Sequence, residues 1–411
     1  MRIGILAYHA ACNYGANLQV LSTVGYLTKN GHVPLVLNYE PEDLKQYYRM
    51  KTSSEVYKAY ENFRNQVMPL TRYCNNTIDL AHIVDEENLD AIIIGSDAVA
   101  QHHSLFERIV FPSRHIISIR KITSDRLFPN PFWGTFLSYL NRKIPVAILS
   151  ASSQDSVYKY YSTSLKNSMY DCLKNFVYIS ARDMWTKRMY EHISLGQLKV
   201  DITPDPVFSF NQNCLDILMS KQEVSAKFGL HDKYVLLSFL NAKTVSTEWL
   251  MRFEKLAIEK GIQCVALPFP QNVSFHNPII KKIESPLLPL DWYSLIKYSV
   301  GYVGHNMHPI IVAIHNAVPF FSFDNYGVTK YRGIYSDEKP SKIFDILNRA
   351  DLQENRSSCI PHGYIPPSPA FVLERILDFD RNKCKAFSGR YYDLYNETMK
   401  KILDLFEENR K

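Results

Sequence analysis

No stretch of this 411-residue chain reaches the ~18 uninterrupted apolar residues of a membrane-spanning helix, and no C-x-x-C pair occurs among its seven cysteines. The first absence argues against a helical membrane protein. The second leaves cysteines scattered at 12, 74, 172, 214, 264, 359 and 384, a pattern of reduced packing thiols that indicates neither a disulfide framework nor a zinc site. No metal is therefore expected. A glycine-rich dinucleotide fingerprint is also missing: His9-Ala10-Ala11-Cys12-Asn13-Tyr14-Gly15 carries one glycine where G-x-G-x-x-G needs three. Internal repeats and low-complexity tracts are absent. A net charge of +6 is too small for a nucleic-acid footprint, though it suits anionic small substrates or an anionic membrane surface. Met1-Arg2-Ile3 leads straight into a strand instead of a signal sequence, so a cytoplasmic protein is expected.

What is present is an alternation of strands and helices. Apolar runs at Arg2–Tyr8, Pro34–Tyr39, Ala91–Gly95, Pro145–Ser150 and Phe176–Ser180 are separated by longer helix-compatible stretches, the pattern of a parallel sheet built from βα units. Thr203-Pro204-Asp205-Pro206 interrupts it. After a helix over Cys214–Phe228, a second series follows. Tyr234–Leu240, Gln263–Pro268, Gly301–Gly304 and Pro319–Phe323 read as strands; Thr247–Lys260, Asp291–Tyr298 and Ile310–His315 read as helices. This predicts an α/β protein with two Rossmann-like domains, 1–212 and 213–375. A charged, 3.6-period tail within 376–411 is expected to form a helix that crosses back onto the first domain.

Residues 102–143 break the rhythm. Arg108, Arg114, Arg120, Lys121, Arg126, Arg142 and Lys143 alternate there with Phe106, Phe111, Phe128, Phe132, Trp133 and Phe136, against only Glu107 and Asp125. Such a mixture suits an anionic leaflet, cations at the head groups and rings at the interface. An irregular surface excursion with its rings packed inward fits equally.

The residues able to do chemistry sit at strand ends. In an open α/β sheet the crevice beyond the carboxyl ends of the strands is the usual ligand site. Arg182 follows one predicted strand, and His308 holds the matching place after Tyr302-Val303-Gly304 in the second domain. Asn13-Tyr14-Gly15 opens the first helix, and Gly95-Ser96-Asp97 ends a third strand. Each has a plain structural role as well. Arg182 could pair with Asp183 or Asp205, His308 could cap the helix after it, and Asn13 and Ser96-Asp97 are standard helix caps.

Five segments, in order, resemble the polysaccharide pyruvyl transferases. Asn13-Tyr14-Gly15 with Leu18-Gln19 matches that family's N-Y-G-x-x-L-Q opening. It is followed by Asp90-Ala91-Ile92-Ile93-Ile94-Gly95-Ser96-Asp97, Ile179-Ser180-Ala181-Arg182-Asp183, Asp205-Pro206-Val207-Phe208 and Gly301-Tyr302-Val303-Gly304-His305-Asn306-Met307-His308-Pro309. The resemblance implies two Rossmann-like domains in a glycosyltransferase-B-like arrangement with a cleft between them. It also implies transfer of a pyruvyl unit from phosphoenolpyruvate, a co-substrate with no other cofactor, to a sugar acceptor, free or lipid-linked, in bacterial surface-polysaccharide assembly. Arg182 matches the family's donor-binding arginine and His308 its strand-end histidine, the expected catalytic pair. Lys297 and Arg188 are candidate further cations for the donor, and Asn13, Tyr14, Gln19, Ser96 and Asp97 are the expected acceptor contacts. His9 and His305 flank the same cleft. Three places depart from the family pattern: Pro309 after the histidine, Ala98-Val99-Ala100 after Asp97, and Ala151-Ser152-Ser153-Gln154 without glycine. Two alternatives therefore stand beside it, a nucleotide-sugar glycosyltransferase and a non-catalytic glycan-binding member.

Overall fold

The computed structural model describes residues 1–410 other than 114–115, 240–243, 271–279, 326–340 and 360–362. Leu240 of the expected strand and Arg114 of the basic-aromatic stretch lie outside the described residues. Strands β1 (Arg2–Leu6), β2 (Val33–Val36) and β3 (Ala91–Ile94) are followed by a small two-stranded ribbon, β4 (Ile109–Ser113) and β5 (Ile116–Ile119). Next come β6 (Val146–Ala151), β7 (Tyr178–Ala181) and β8 (Asp201–Ile202). The second half holds β9 (Tyr234–Ser238), β10 (Gln263–Ala266), β11 (Lys281–Lys282), β12 (Gly301–Gly304), β13 (Phe320–Asp324) and β14 (Arg356–Ser358). Two six-stranded sheets result, ordered β2-β1-β3-β6-β7-β8 and β11-β10-β9-β12-β13-β14.

All pairings within these two sheets are parallel, with Ile5 beside Ile93, Ile93 beside Ala147, and Val303 beside Leu237. Strands covered on both faces need apolar residues at every position, and Ile92, Ile93 and Ile94 are all fully buried. In both sheets the chain starts at the centre, runs to one side and returns to the other. Strand order thus reverses between β1 and β3 and again between β9 and β12, and crevices open beyond the strand ends at such reversals.

Helix α1 (Tyr14–Lys29) joins the two halves. Asn13 caps it by accepting from the Ala16 amide, and Tyr14 through Thr23 are all buried. A helix buried on every side needs neighbours on every side, and α1 has the helices Phe210–Cys214, Pro289–Tyr298 and Met307–His315 against it as well as its own sheet. One apolar cluster consequently runs from Ile5 and Ile93 of the first sheet to Leu236, Tyr302 and Ile311 of the second half. The C-terminal helix Arg381–Asn409 packs beside the Met307 helix, and its Lys401 pairs with Asp201 at 2.9 Å.

Two sequence expectations change. The helix over Cys214–Phe228 is broken by a turn at Leu215–Ile217, because Ser220 and Glu223 form a capping box that starts a separate helix at Lys221. The helix expected from Ile310 begins at Met307, which puts His308 and Pro309 in its first turn. The excursion divides. Phe132, Trp133 and Phe136 are core residues, at most 3% exposed, whereas the ribbon β4–β5 stays on the surface. Aromatic rings close to the first sheet pack inward because Tyr8 reaches the segment, donating to Asp125 at 2.8 Å and lying 4.7 Å from the Phe132 ring. Among the described residues no helix is long and apolar enough to cross a membrane, and no group of three or more His, Cys, Asp or Glu side chains is placed to hold a metal ion.

Candidate active site

The two strand-order reversals face one another across a cavity of about 260 Å³. The first half supplies Asn13, Tyr14, Gly15, Asp97 and Gln154 to its lining; the second supplies Ser238, Phe269, Trp292, Asn306, His308 and Lys342. It is smaller than the roughly 300–1,000 Å³ of drug-sized pockets, so it suits a compact ligand.

Asp97 stands where β3 ends, in a left-handed conformation with φ of 73°. No helix follows it, so it is not a helix cap. Gly95 makes the turn: its φ is 117°, and a Cβ there would sit 2.3 Å from the Leu149 carbonyl oxygen. Arg182, just past β7, donates to Asp97 Oδ1 at 3.2 Å and to Asp205 Oδ2 at 2.7 Å. Asp205 Oδ2 also accepts from Gln19 Nε2 at 2.5 Å, while its other oxygen takes the Val207 amide. His308 completes the group, its Nε2 4.0 Å from Asp205 Oδ2 and without a hydrogen-bond partner among the described residues.

The electrostatics follow from this packing. Burial alone would raise the Asp97 pKa, but Arg182, His308 and Lys342 outweigh it and hold the carboxyl below its ordinary value. The Arg182 guanidinium, 1% exposed, is held charged by the two carboxylates despite its burial. For His308 burial dominates and lowers the pKa, offset in part by Asp97 and Asp205. Lys342, the first residue of the helix Lys342–Arg349, is 6% exposed; burial and then Arg182 bring its pKa down to about 8. The cavity thus combines a carboxylate, a neutral imidazole and an easily deprotonated ammonium. This set can hold an anion and move protons.

Several candidate residues lie elsewhere. Arg182 does not offer its guanidinium to the cavity; it faces the two aspartates behind the wall, so the pairing with Asp205 holds in place of a direct donor contact. Gln19 and Ser96, each 2% exposed, are also beneath the surface, Gln19 being bound to Asp205. Lys297 donates to Asn211 Oδ1 at 2.9 Å, away from the cavity lining, and Arg188 is on the exposed side of its helix. His9 is engaged with Asn38 and the Ala7 carbonyl, and His305 with Thr244; burial lowers both pKa values to about 4. Asn13, Tyr14, Asp97 and His308 do meet at the cavity. Lys342 was not legible in advance. It follows a helix-capping serine, Ser341, a signal shared by many surface lysines.

The model of the polysaccharide pyruvyl transferase family matches residues 13–326, most of the chain. No curated protein matches it significantly. Among solved structures, the UDP-GlcNAc 2-epimerase from Methanocaldococcus jannaschii is similar with a TM-score of 0.54 at 12% identity, over 93% of this chain and 94% of that one. The UDP-N-acetylglucosamine 2-epimerase from Rickettsia bellii has a TM-score of 0.50 at 10% identity, over 100% of this chain and 96% of that one. At such identities the likeness speaks for the fold alone, two Rossmann-like domains in the glycosyltransferase-B-like arrangement. Taken with the family match over most of its length, the chain belongs to the polysaccharide pyruvyl transferase family.

Proposed function

We propose that the cavity takes phosphoenolpyruvate and that the protein transfers its pyruvyl unit to a sugar, forming a cyclic ketal and releasing phosphate, in bacterial surface-polysaccharide synthesis. The observation that carries this reading is the joint presence of His308, Asp97 and Lys342 on one small cavity. About 260 Å³ suits a small trianionic donor better than a nucleoside diphosphate sugar.

In this reading Lys342 and the first turn of the Met307 helix receive the donor's charge. The incoming anion raises the His308 pKa, so that the imidazole takes up a proton from solvent. His308 then protonates the methylene carbon, so that C2 becomes an oxocarbenium-like electrophile. A sugar hydroxyl attacks C2 while Asp97, held ionised by Arg182, takes the hydroxyl proton. Phosphate leaves with the C2–O bond electrons, and a second hydroxyl closes the ketal, its proton passing to the now neutral imidazole of His308. Asn13 and Tyr14 border the acceptor side. Arg182 and Gln19 act as positioning residues through Asp97 and Asp205.

The test mixes purified protein and phosphoenolpyruvate with free and lipid-linked galactosides and N-acetylmannosaminides. Phosphate release that requires an acceptor is expected. No release above background with any acceptor, together with tight binding of a nucleoside diphosphate sugar, would overturn the assignment.

A further inference from the structure

A second group of polar side chains stands at the carboxyl edge of the first sheet, and the chemistry above does not use it. Leu6 lies beside Ile94, and the Gly95 amide donates to the Leu6 carbonyl at 2.9 Å, so Tyr8 leaves β1 level with Ser96 and one residue short of Asp97. Tyr8 donates to Asp125 Oδ2 at 2.8 Å. Asp125 is 1% exposed, and its Oδ1 has no hydrogen-bond partner among the described residues; the same is true of the buried Ser96 hydroxyl. Unpartnered buried oxygens are rare in folded proteins and call for a reason. Arg126 brings its Nε within 3.9 Å of Asp125 Oδ2, close enough for charge to act but too far for a hydrogen bond. Its side chain is 37% exposed and, among the described residues, leaves its N–H donors unused.

The neighbouring wall is the helix Glu42–Lys51. Asp43 fastens it to residues 124–126, accepting from the Ser124 amide at 2.7 Å and from the Ser124 hydroxyl at 2.8 Å. Tyr47 and Tyr48 belong to this helix, with ring centroids 5.7 Å apart. Tyr48 packs against the core yet stays partly accessible, and its hydroxyl makes no hydrogen bond among the described residues. Burial and then Asp125 raise its pKa, with Asp97 adding to the shift, so the phenol stays protonated and within electrostatic reach of both carboxylates. Tyr8 is raised for the same two leading reasons. Two neutral phenols and a guanidinium with open donors therefore gather beside Asp97, the carboxylate that borders the cavity.

We propose that Tyr8, Tyr48 and Arg126 form the acceptor subsite and that it takes a neutral hexose, presenting a hydroxyl of that sugar to Asp97. The proposal rests on the pyruvyl-transfer reading and names the acceptor class for it. Phenol rings cover the apolar face of a pyranose while their hydroxyls bond to its edge, and a guanidinium donates to adjacent sugar oxygens. Asp125 acts through the other two: it fixes the Tyr8 hydroxyl and holds Arg126 at the sheet edge. Charge selects against an acidic sugar. Asp43 and Asp125 place two negative charges beside the Arg126 guanidinium, so the subsite has no surplus cation to receive a carboxylate or a phosphate.

The full-length protein is titrated, without phosphoenolpyruvate, with methyl galactoside, methyl N-acetylmannosaminide and methyl galacturonoside, and binding is followed by ligand-observed NMR. At least one neutral sugar is expected to bind, and the galacturonoside about ten-fold more weakly or not at all. Tyr48→Phe, which removes a single hydroxyl, and Arg126→Gln should each weaken binding of the neutral sugar roughly five-fold at unchanged melting temperature. In turnover they should raise KM for the sugar and leave KM for phosphoenolpyruvate as it is, a split that a general loss of folding would not produce. Should Arg126→Gln fail to fold, Tyr48→Phe alone decides. Equal sugar affinity in wild type and Tyr48→Phe overturns the proposal, as does tighter binding of the galacturonoside or no binding of either neutral sugar. Failure of the donor reading would show instead as sugar binding that Tyr48→Phe still weakens, in a protein that neither binds phosphoenolpyruvate nor releases phosphate from it.

Discussion

Gly15 and His308 meet across the two halves of the molecule, so closely that a Cβ on Gly15 would lie 2.0 Å from Cγ of the imidazole. One residue opens the first helix of the first half; the other sits in the first turn of the helix after β12. The glycine of the Asn13-Tyr14-Gly15 segment is thus the space that His308 occupies, and the two motifs are halves of one contact.

Gly15→Ala is expected to displace the His308 ring without unfolding the chain, since alanine is the better helix former by ~1 kcal/mol. A ring moved by about 1 Å should cost roughly a hundred-fold in phosphate release. Equal kcat in wild type and variant, measured with matched melting temperatures, would show that the contact is not needed for turnover.

Replacing His308 itself with Asn removes the proton donor while keeping a polar group of similar size. Acceptor-dependent phosphate release should fall by about 10²–10⁴-fold. Phosphoenolpyruvate binding, followed by calorimetry, should weaken much less than turnover. A variant with full activity would remove His308 from the mechanism.

Arg182→Ala leaves Asp97 and Asp205 buried without their shared cation, and loss of one partner of a buried ion pair costs about 3–5 kcal/mol. Denaturant unfolding should report that loss. The pH dependence has a definite sign. The folded-state pKa of Asp97 lies below its unfolded value, so its contribution to stability is present above the unfolded value of roughly 3.9 and is lost as pH falls through the folded value. In Arg182→Ala that acid-labile contribution should shrink or vanish. Identical stability-versus-pH curves for the two proteins would contradict the assigned coupling.

Lys342, with its pKa near 8, should be charged below that pH and increasingly neutral above it. The free enzyme is therefore expected to lose kcat/KM for phosphoenolpyruvate as pH rises through about 8. Lys342→Arg should carry the plateau to higher pH, because a guanidinium does not titrate in that range. Lys342→Met should raise KM several-fold or more at pH 7. A pH profile unchanged in Lys342→Arg would assign the descending limb to another group.

The strand pattern was readable because a parallel sheet covered on both faces demands continuous apolar runs, and Ala91 to Ile94 is such a run. Helix starts were readable where a polar cap precedes them, as Asn13 does for α1. The Cys214–Phe228 stretch misled because its apolar period continues across a capping box that restarts the helix. Phe132 and Trp133 were ambiguous for a different reason. Composition gives an aromatic ring no direction, and only Tyr8 and Tyr39 beside Phe132, with Tyr190 beside Trp133, show that they face inward.

By itself the sequence determined two series of βα units and a family's ordered segments, because hydrophobic period and turn chemistry are local properties of the chain. The tertiary structure decided which charges meet. Arg182, read as a ligand for the donor, turns to Asp97 and Asp205, which lie 85 and 23 residues away in sequence. Lys342, which no motif marks, comes to the cavity because its helix follows β13 in the second sheet. Pairing of distant charges depends on burial and on distances of a few ångströms, and those are fixed only when both sheets close over α1.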